Sequence, residues 1–289
     1  MLNSIGGTYH ITEGSGSTVT IQQAIAILDS GVGGLTVAKE VMRQLPQERV
    51  LYFGDTARAP YGPRSKEEVV RFTEQIVDYL LQFDPKMIVI ACNTATAVAI
   101  ERIRARVSVP VLGVIAPGAR AAIKQTKNGQ IGVIGTEGTI RSGAYETALR
   151  RIAPYVRVVS LACPAFVPLV ERGLFRSEEA VDVVCDALRP LRRETIDTLI
   201  LGCTHYPFLA DRIQACMGKG VALISSADQT ARDISTVLYH SGQLASAREL
   251  PVHRFFCSGD PATFQWIAQE WLGEQIQVTP VMWQVPKFI

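Results

Sequence analysis

Two cysteines sit where proton chemistry is practicable. A short apolar run, 88–91, ends in Cys92-Asn93-Thr94, and a second, 199–202, ends in Cys203-Thr204-His205. A thiol at a strand end, just ahead of a helix, meets unpaired N–H groups that favour the thiolate. Its ordinary pKa is about 8.5, so modest help lets it exchange protons near neutrality. Asn93, Thr94 and Thr204 can hydrogen-bond a carboxylate or an amino group. His205 can pass a proton to or from a nearby thiol. A lone cysteine at a strand end is usually a small buried hydrophobe. Two of them with matching polar sequels point to a pair of acid/base groups.

Three other segments offer binding groups. Asp29-Ser30-Gly31-Val32-Gly33-Gly34 follows a short apolar run and opens a helix. Gly31-x-Gly33 with an acidic residue about 20 positions later invites a dinucleotide-binding reading. The third glycine position, however, is Thr36, and Asp29 would set a negative charge beside a pyrophosphate. The alternative is that Asp29 and Ser30 act directly on a small substrate. The stretch 55–64, rich in proline, glycine and charge, contains Tyr61-Gly62 and reads as a surface connection or a substrate lip. Gly135-Thr136, with Thr139 beyond it, forms a small polar turn at a helix start, a setting that suits anions. There is no Walker A, H-E-x-x-H or nucleophile-elbow pattern, and no lysine in a context for pyridoxal phosphate, so no cofactor or metal is expected.

These segments must be held by a scaffold, and the chain's patterning supplies one. Apolar runs at 24–28, 50–53, 87–91, 111–115, 131–134, 156–161, 198–201, 221–224 and 254–257 predict strands. Helical spacing covers 65–81, 94–106, 139–151, 177–188 and 228–239, with a Ser65/Glu68 capping box opening the first. Apolar strands alternating with amphipathic helices predict an α/β fold with mostly parallel sheets flanked by helices. Ligands in such sheets bind beyond the carboxyl ends of the strands. The echo between the two cysteine segments suggests two similar domains that share one cleft.

Composition narrows the classes. The chain has 289 residues, 47% hydrophobic and 19% charged, with a formal net charge of +2. That describes an ordinary globular protein with ample core. No basic stripe marks a nucleic-acid partner and no apolar run spans a membrane. No signal peptide is apparent. Six cysteines without a C-x-x-C pair suit reduced thiols in a cytoplasmic protein. The small polar stretch before residue 24 reads as a flexible N-terminal arm, 1–23.

Taken together, the motifs resemble the glutamate racemases of bacterial cell-wall synthesis. The matching segments are Asp29-Ser30-Gly31-Val32-Gly33-Gly34, Gly54-Asp55-Thr56 with Pro60-Tyr61-Gly62, and Ala91-Cys92-Asn93-Thr94-Ala95. They continue through Gly113-Val114-Ile115 with Pro117-Gly118, Gly135-Thr136-x-x-Thr139, Cys163-Pro164 with Val170-Glu171, and Leu201-Gly202-Cys203-Thr204-His205-Tyr206-Pro207. The resemblance runs from about Ala24 to Gly273. Aspartate and hydantoin racemases share the two-cysteine idea, but the Gly-Cys-Thr-His-Tyr-Pro form looks like the glutamate branch.

The resemblance implies a cofactor-independent isomerase that makes D-glutamate for peptidoglycan, with Cys92 and Cys203 as its two acid/base residues. Asp29 would assist Cys92, and His205 would assist Cys203 with Glu171 near it. Asp29, Ser30, Tyr61, Gly62, Asn93, Thr94, Thr136, Thr139, Thr204 and His205 would hold the substrate. It further implies a first domain of 24–115 plus 227–289, a second of 116–226, and a homodimer. The long arm is shared with members regulated by a cell-wall precursor, a possible partner here. One departure is the lack of the usual acidic residue before Ser225-Ser226-Ala227.

Racemisation removes the α-proton from one face and returns one to the other. Two bases flanking a planar carbanion solve this geometry. Without pyridoxal phosphate, donors such as Asn93, Thr94, Thr136 and Thr204 must stabilise the enediolate-like charge. The rival readings are an aspartate racemase of the same chemistry, a nucleotide-binding oxidoreductase, and a non-catalytic protein that clasps an amino acid.

Overall fold

A computed structural model describes residues 23–246, 250–273 and 275–283. The predicted arm therefore lies, except for Gln23, outside the described residues. Among the described residues, ten strands fall in two sheets. The first contains β1 (Ile25–Asp29), β2 (Val50–Gly54), β3 (Met87–Ile90) and β4 (Val111–Gly113). The second contains β5 (Gln130–Gly135), β6 (Arg157–Ala162), β7 (Thr198–Gly202) and β8 (Ala222–Ile224). The chain then returns to the first sheet with β9 (Arg254–Cys257) and β10 (Val278–Pro280).

The helices are α1 (Leu35–Gln44), α2 (Lys66–Leu81), α3 (Asn93–Arg104), α4 (Ile115–Gln125), α5 (Glu137–Arg141) and α6 (Ala144–Ile152). They continue with α7 (Phe166–Glu171), α8 (Glu179–Leu188), α9 (Ala210–Met217), α10 (Ser226–His240) and α11 (Pro261–Leu272).

All pairings among the described strands are parallel. The first sheet runs β10-β9-β2-β1-β3-β4 and the second β6-β5-β7-β8. Each thus carries the same four-strand plan, with its first strand in the middle and the order reversing beside it. In the first sheet the reversal falls between β1 and β3, whose ends are Asp29 and Cys92. In the second it falls between β5 and β7, whose ends lead into Thr136 and Cys203. Such a reversal leaves a crevice outside the strand ends, the usual ligand position in open parallel sheets. This explains why the two cysteine segments echo each other.

Both faces of the first sheet are covered. Ile25 and Ile27 enter one core cluster while Ala26 and Leu28 enter another, all fully buried. Alternation across the pleat requires this of a strand without a polar face.

Several expectations are corrected. The helix predicted over 139–151 is two helices, because Gly143 takes φ 65° and turns the chain between α5 and α6. The strand expected to reach Ile115 stops at Gly113, and Ile115 opens α4. β10 carries too short an apolar signal to be predicted. The Ser65/Glu68 capping box is formed. Cys185 and Cys216 are joined as a disulfide, Cα atoms 5.3 Å apart, whereas the sequence suggested reduced thiols throughout. The pairing arises because α8 and α9 pack together, a tertiary contact that a separation of 31 residues does not reveal. The other four cysteines are free and buried.

Candidate active site

Cys92 caps α3. Its Sγ accepts from the Ala95 N–H at 3.4 Å, using the helix's unpaired donor as predicted. The net effect on its acidity is the reverse of the expectation. Burial, together with the nearby Asp29 carboxylate, pushes the thiol up to about 12, outweighing the Ala95 N–H and the Ser30 hydroxyl. Cys203 follows the last residue of β7 and precedes a short 3₁₀ turn, Tyr206–Leu209, not an α-helix. Its electrostatic neighbour is instead His205, whose Nδ1 lies 3.8 Å from its Sγ. The far ring nitrogen, Nε2, faces Glu171 Oε1 at 3.3 Å. Burial would lower the imidazole pKa, but the bonds and charges of Cys203 and Glu171 prevail and take it to about 10. The ring is therefore cationic at neutral pH.

Between the two thiols lies a cavity of about 20 Å³, roughly one water. Ser30, Tyr61, Gly62, Asn93, Thr94, Thr136, Glu171, Thr204 and His205 line it with Cys92 and Cys203. Pro60 and Val167 complete the wall, and sequence reasoning named neither as a site residue. Two candidates stand behind this lining. Asp29 is fully buried, its Oδ1 accepting from the Gly31 N–H at 2.9 Å and its Oδ2 from the Thr204 hydroxyl at 3.3 Å. Burial raises its pKa, opposed chiefly by the charge of His205. Thr139 supports Thr136 from behind, through Oγ1 atoms 3.0 Å apart.

Thr94 closes a ring of three hydroxyls, 2.8 Å from Thr136 and 3.2 Å from Thr139. This ring joins α3 of the first sheet to the turn after β5 of the second. Beside it the Gly138 N–H donates to the Gly62 carbonyl at 2.9 Å. A Cβ on Gly62 would meet Thr136 Cβ at 2.8 Å, so a side chain there would push the two halves apart.

The 55–64 loop is anchored by Asp55, a fully buried carboxylate that sequence reasoning left as a loop residue. It accepts from Arg58 Nε at 2.6 Å, Ser258 Oγ at 2.7 Å, Trp283 Nε1 at 2.8 Å and the Tyr61 hydroxyl. The Arg58 guanidinium lies between the Phe72 and Trp283 rings, 4.2 and 4.1 Å from their centroids. Asp55 thus fixes Tyr61-Gly62 from behind, so the Tyr61 hydroxyl is spent on the scaffold. Asp55 stands just after β2, but its partners Ser258 and Trp283 lie about 200 residues further on, beyond any local sequence signal.

Known proteins share this arrangement of sheets. The family model described as Asp/Glu/Hydantoin racemase matches residues 34–234. A glutamate racemase of Bacillus cereus is 55% identical over 257 residues, covering 89% of this chain and 96% of that protein. The chain belongs to the Asp/Glu/hydantoin racemase family. Among solved racemases, the RacE1 isoform from Bacillus anthracis superposes with a TM-score of 0.88 at 52% identity, covering 90% of this chain and 97% of that one. The Escherichia coli glutamate racemase, in complex with L-glutamate and the activator UDP-MurNAc-Ala, superposes with a TM-score of 0.74 at 28% identity, covering 89% and 97%. The racemase fold accounts for the Gly31-x-Gly33 motif without a nucleotide. A Cβ at Gly33 would collide with Thr204 and come within 2.6 Å of His205 Nδ1. The glycine lets the turn after β1 press against the Cys203 segment.

Proposed function

We propose that the chain interconverts L- and D-glutamate by moving a proton between Cys92 and Cys203, without a cofactor, and so supplies D-glutamate for peptidoglycan. The observation that carries this reading is that thiols from corresponding strand ends of two similar sheets line one cavity. One thiolate removes the α-proton and becomes a thiol. The electron pair left on the α-carbon delocalises into the carboxylate, and the facing thiol delivers its proton to the opposite face. Asn93, Thr94, Thr136 and Thr204 offer donors for the growing carboxylate charge, worth most where water is excluded.

Cys92 rests as a thiol because burial and Asp29 oppose its charge. A substrate ammonium beside Asp29 would relieve that opposition and favour the thiolate. The cavity is smaller than an amino acid, so on this reading the lobes part to admit substrate. We assign the lobes as 24–115 plus 227–289 and 116–226, each built on one sheet. By kinship with the racemases, the reading extends to a homodimer, to work in the cytoplasm and to a cell-wall precursor as regulator, as the E. coli structure's activator suggests. Among the described residues no helix is long and apolar enough to cross a membrane.

The deciding experiment incubates the purified chain with L- or D-glutamate in deuterated water, without additions, and follows circular dichroism and the α-proton NMR signal. Loss of optical activity from both enantiomers with α-deuteration supports the reading. Action on aspartate alone shifts the substrate. No exchange with any amino acid removes the mechanism.

The charge on His205 sets a pH limit. Its pKa lies near 10 in the folded chain, above the free value of 6.5. Its stabilising contribution is thus complete below about 6.5, and it is lost as pH rises through about 10. Turnover that needs the imidazolium should fall through the same window. Glu171→Gln removes a partner that holds the proton, so the alkaline limb of the kcat profile should move to lower pH. An unmoved limb would show that Glu171 does not hold the His205 proton.

A further inference from the structure

Asn93 has one satisfied end and one free end. The Tyr145 hydroxyl donates to its Oδ1 at 2.7 Å, while its buried Nδ2 has no partner. Asn93 lines the cavity next to Cys92. A primary amide can be turned over about its last bond, exchanging donor for acceptor at almost equal volume. Something must therefore decide which end faces the substrate. In the reverse orientation a carbonyl oxygen would face the substrate carboxylate. The Tyr145 hydroxyl, buried on α6, would then lose the acceptor it now has. From this we infer that Tyr145 is a positioning residue for the reaction: its hydroxyl locks the Asn93 amide with the NH₂ group toward the substrate, and does so across the two sheets.

The surroundings support this role. Tyr145 is 3% exposed. Its ring lies where a Cβ at Gly202 would come within 3.0 Å of it, and one at Gly118 within 3.2 Å of its oxygen. Gly202 immediately precedes Cys203, and Gly118 lies on α4. The ring is thus wedged beside one cysteine segment while its hydroxyl holds the residue next to the other. Burial, with the charge of Cys203 beside it, raises its pKa above the ordinary phenol range, so it remains a donor throughout working pH. A donor aimed at the carboxylate strengthens as the second charge develops there, and so acts mainly on kcat.

The proposal rests on Asn93 contacting substrate, and the test separates the two. Tyr145→Phe keeps the ring and removes the hydroxyl. It should lower kcat for glutamate about tenfold, the scale of one buried hydrogen bond, with KM changed less than twofold and the thermal midpoint within a few degrees. Asn93→Ala should also lower kcat. In the Asn93→Ala background, Tyr145→Phe should then change kcat by less than twofold, because no amide remains to orient. Multiplicative losses in the double variant, or a Tyr145→Phe enzyme at wild-type kcat, would overturn the positioning role and leave Asn93 in place. An Asn93→Ala enzyme at wild-type kcat would overturn both. If Tyr145→Phe loses its cooperative transition, Gly118→Ala, which crowds the phenol oxygen, takes its place in the same cycle. It must slow the wild type and not the Asn93→Ala enzyme, and any other pattern overturns the role.

Discussion

Cys92→Ser and Cys203→Ser should each abolish racemisation while leaving half of the chemistry visible. Serine is nearly isosteric, and both sites are buried among packed neighbours, so the fold should survive with a thermal midpoint within a few degrees. What is lost is an acid/base group that operates near neutral pH. General acid–base groups contribute on the order of 10²–10⁴-fold each, and inversion needs both in one turnover. Racemisation should therefore fall by at least about 10³ in either variant. The α-proton behaves differently. Each variant retains the base on one face, so in deuterated water it should exchange the proton of one enantiomer without inverting it. The two variants should choose opposite enantiomers, and the double variant should exchange neither. Equal exchange of both enantiomers in a single variant would mean that the thiols do not divide the faces, and the two-base mechanism would fall. Full racemisation in both would show that neither thiol carries the proton, and the two-cysteine assignment would fall.

The cysteine pair was legible because each thiol lies within a few residues of its strand end and polar sequel, and strand ends are predictable from apolar runs. The likeness of the two halves could be read for the same reason. What joins the halves could not. Tyr145 is one aromatic among many on amphipathic helices, and only the packing of α6 against the strand ends brings it to Asn93. Asp55 looks like any loop carboxylate until β9 and the chain after β10 supply Ser258 and Trp283. The acidity of Cys92 shows the limit in another way. Its helix-cap geometry was readable from order along the chain, whereas the burial that outweighs it is a property of the assembled molecule. The missed turn at Gly143 is milder, since a glycine within a helical pattern is a weak break unless its φ is known.

Gly33→Ala should be the most damaging substitution outside the reacting residues, although it adds a single methyl group. At an unstrained site, glycine to alanine stabilises by about 0.4–1 kcal/mol through the unfolded chain. Gly220, whose Cβ would meet nothing within 4 Å, is the matched control and should be neutral or slightly stabilised. At Gly33 the new methyl would overlap the Thr204 side chain and come within 2.6 and 2.8 Å of His205 Nδ1 and Cε1. Neither neighbour can yield easily. Thr204 is tied to Asp29, and the His205 ring is held between Cys203 and Glu171. Overpacking of this kind costs about 1–3 kcal/mol, which the chain can survive. The kinetic effect should be larger. A displacement of about 1 Å at a positioned group costs on the order of 10²-fold in rate, and here it falls on the ring whose Nδ1 faces Cys203. The expected result is a folded protein with kcat reduced about 100-fold and its alkaline limb shifted down, because the contacts that hold the His205 proton are loosened. A Gly33→Ala protein with wild-type kcat would show that the turn after β1 does not hold the Cys203 side, and the close approach of the two sheets at this point would lose its catalytic meaning.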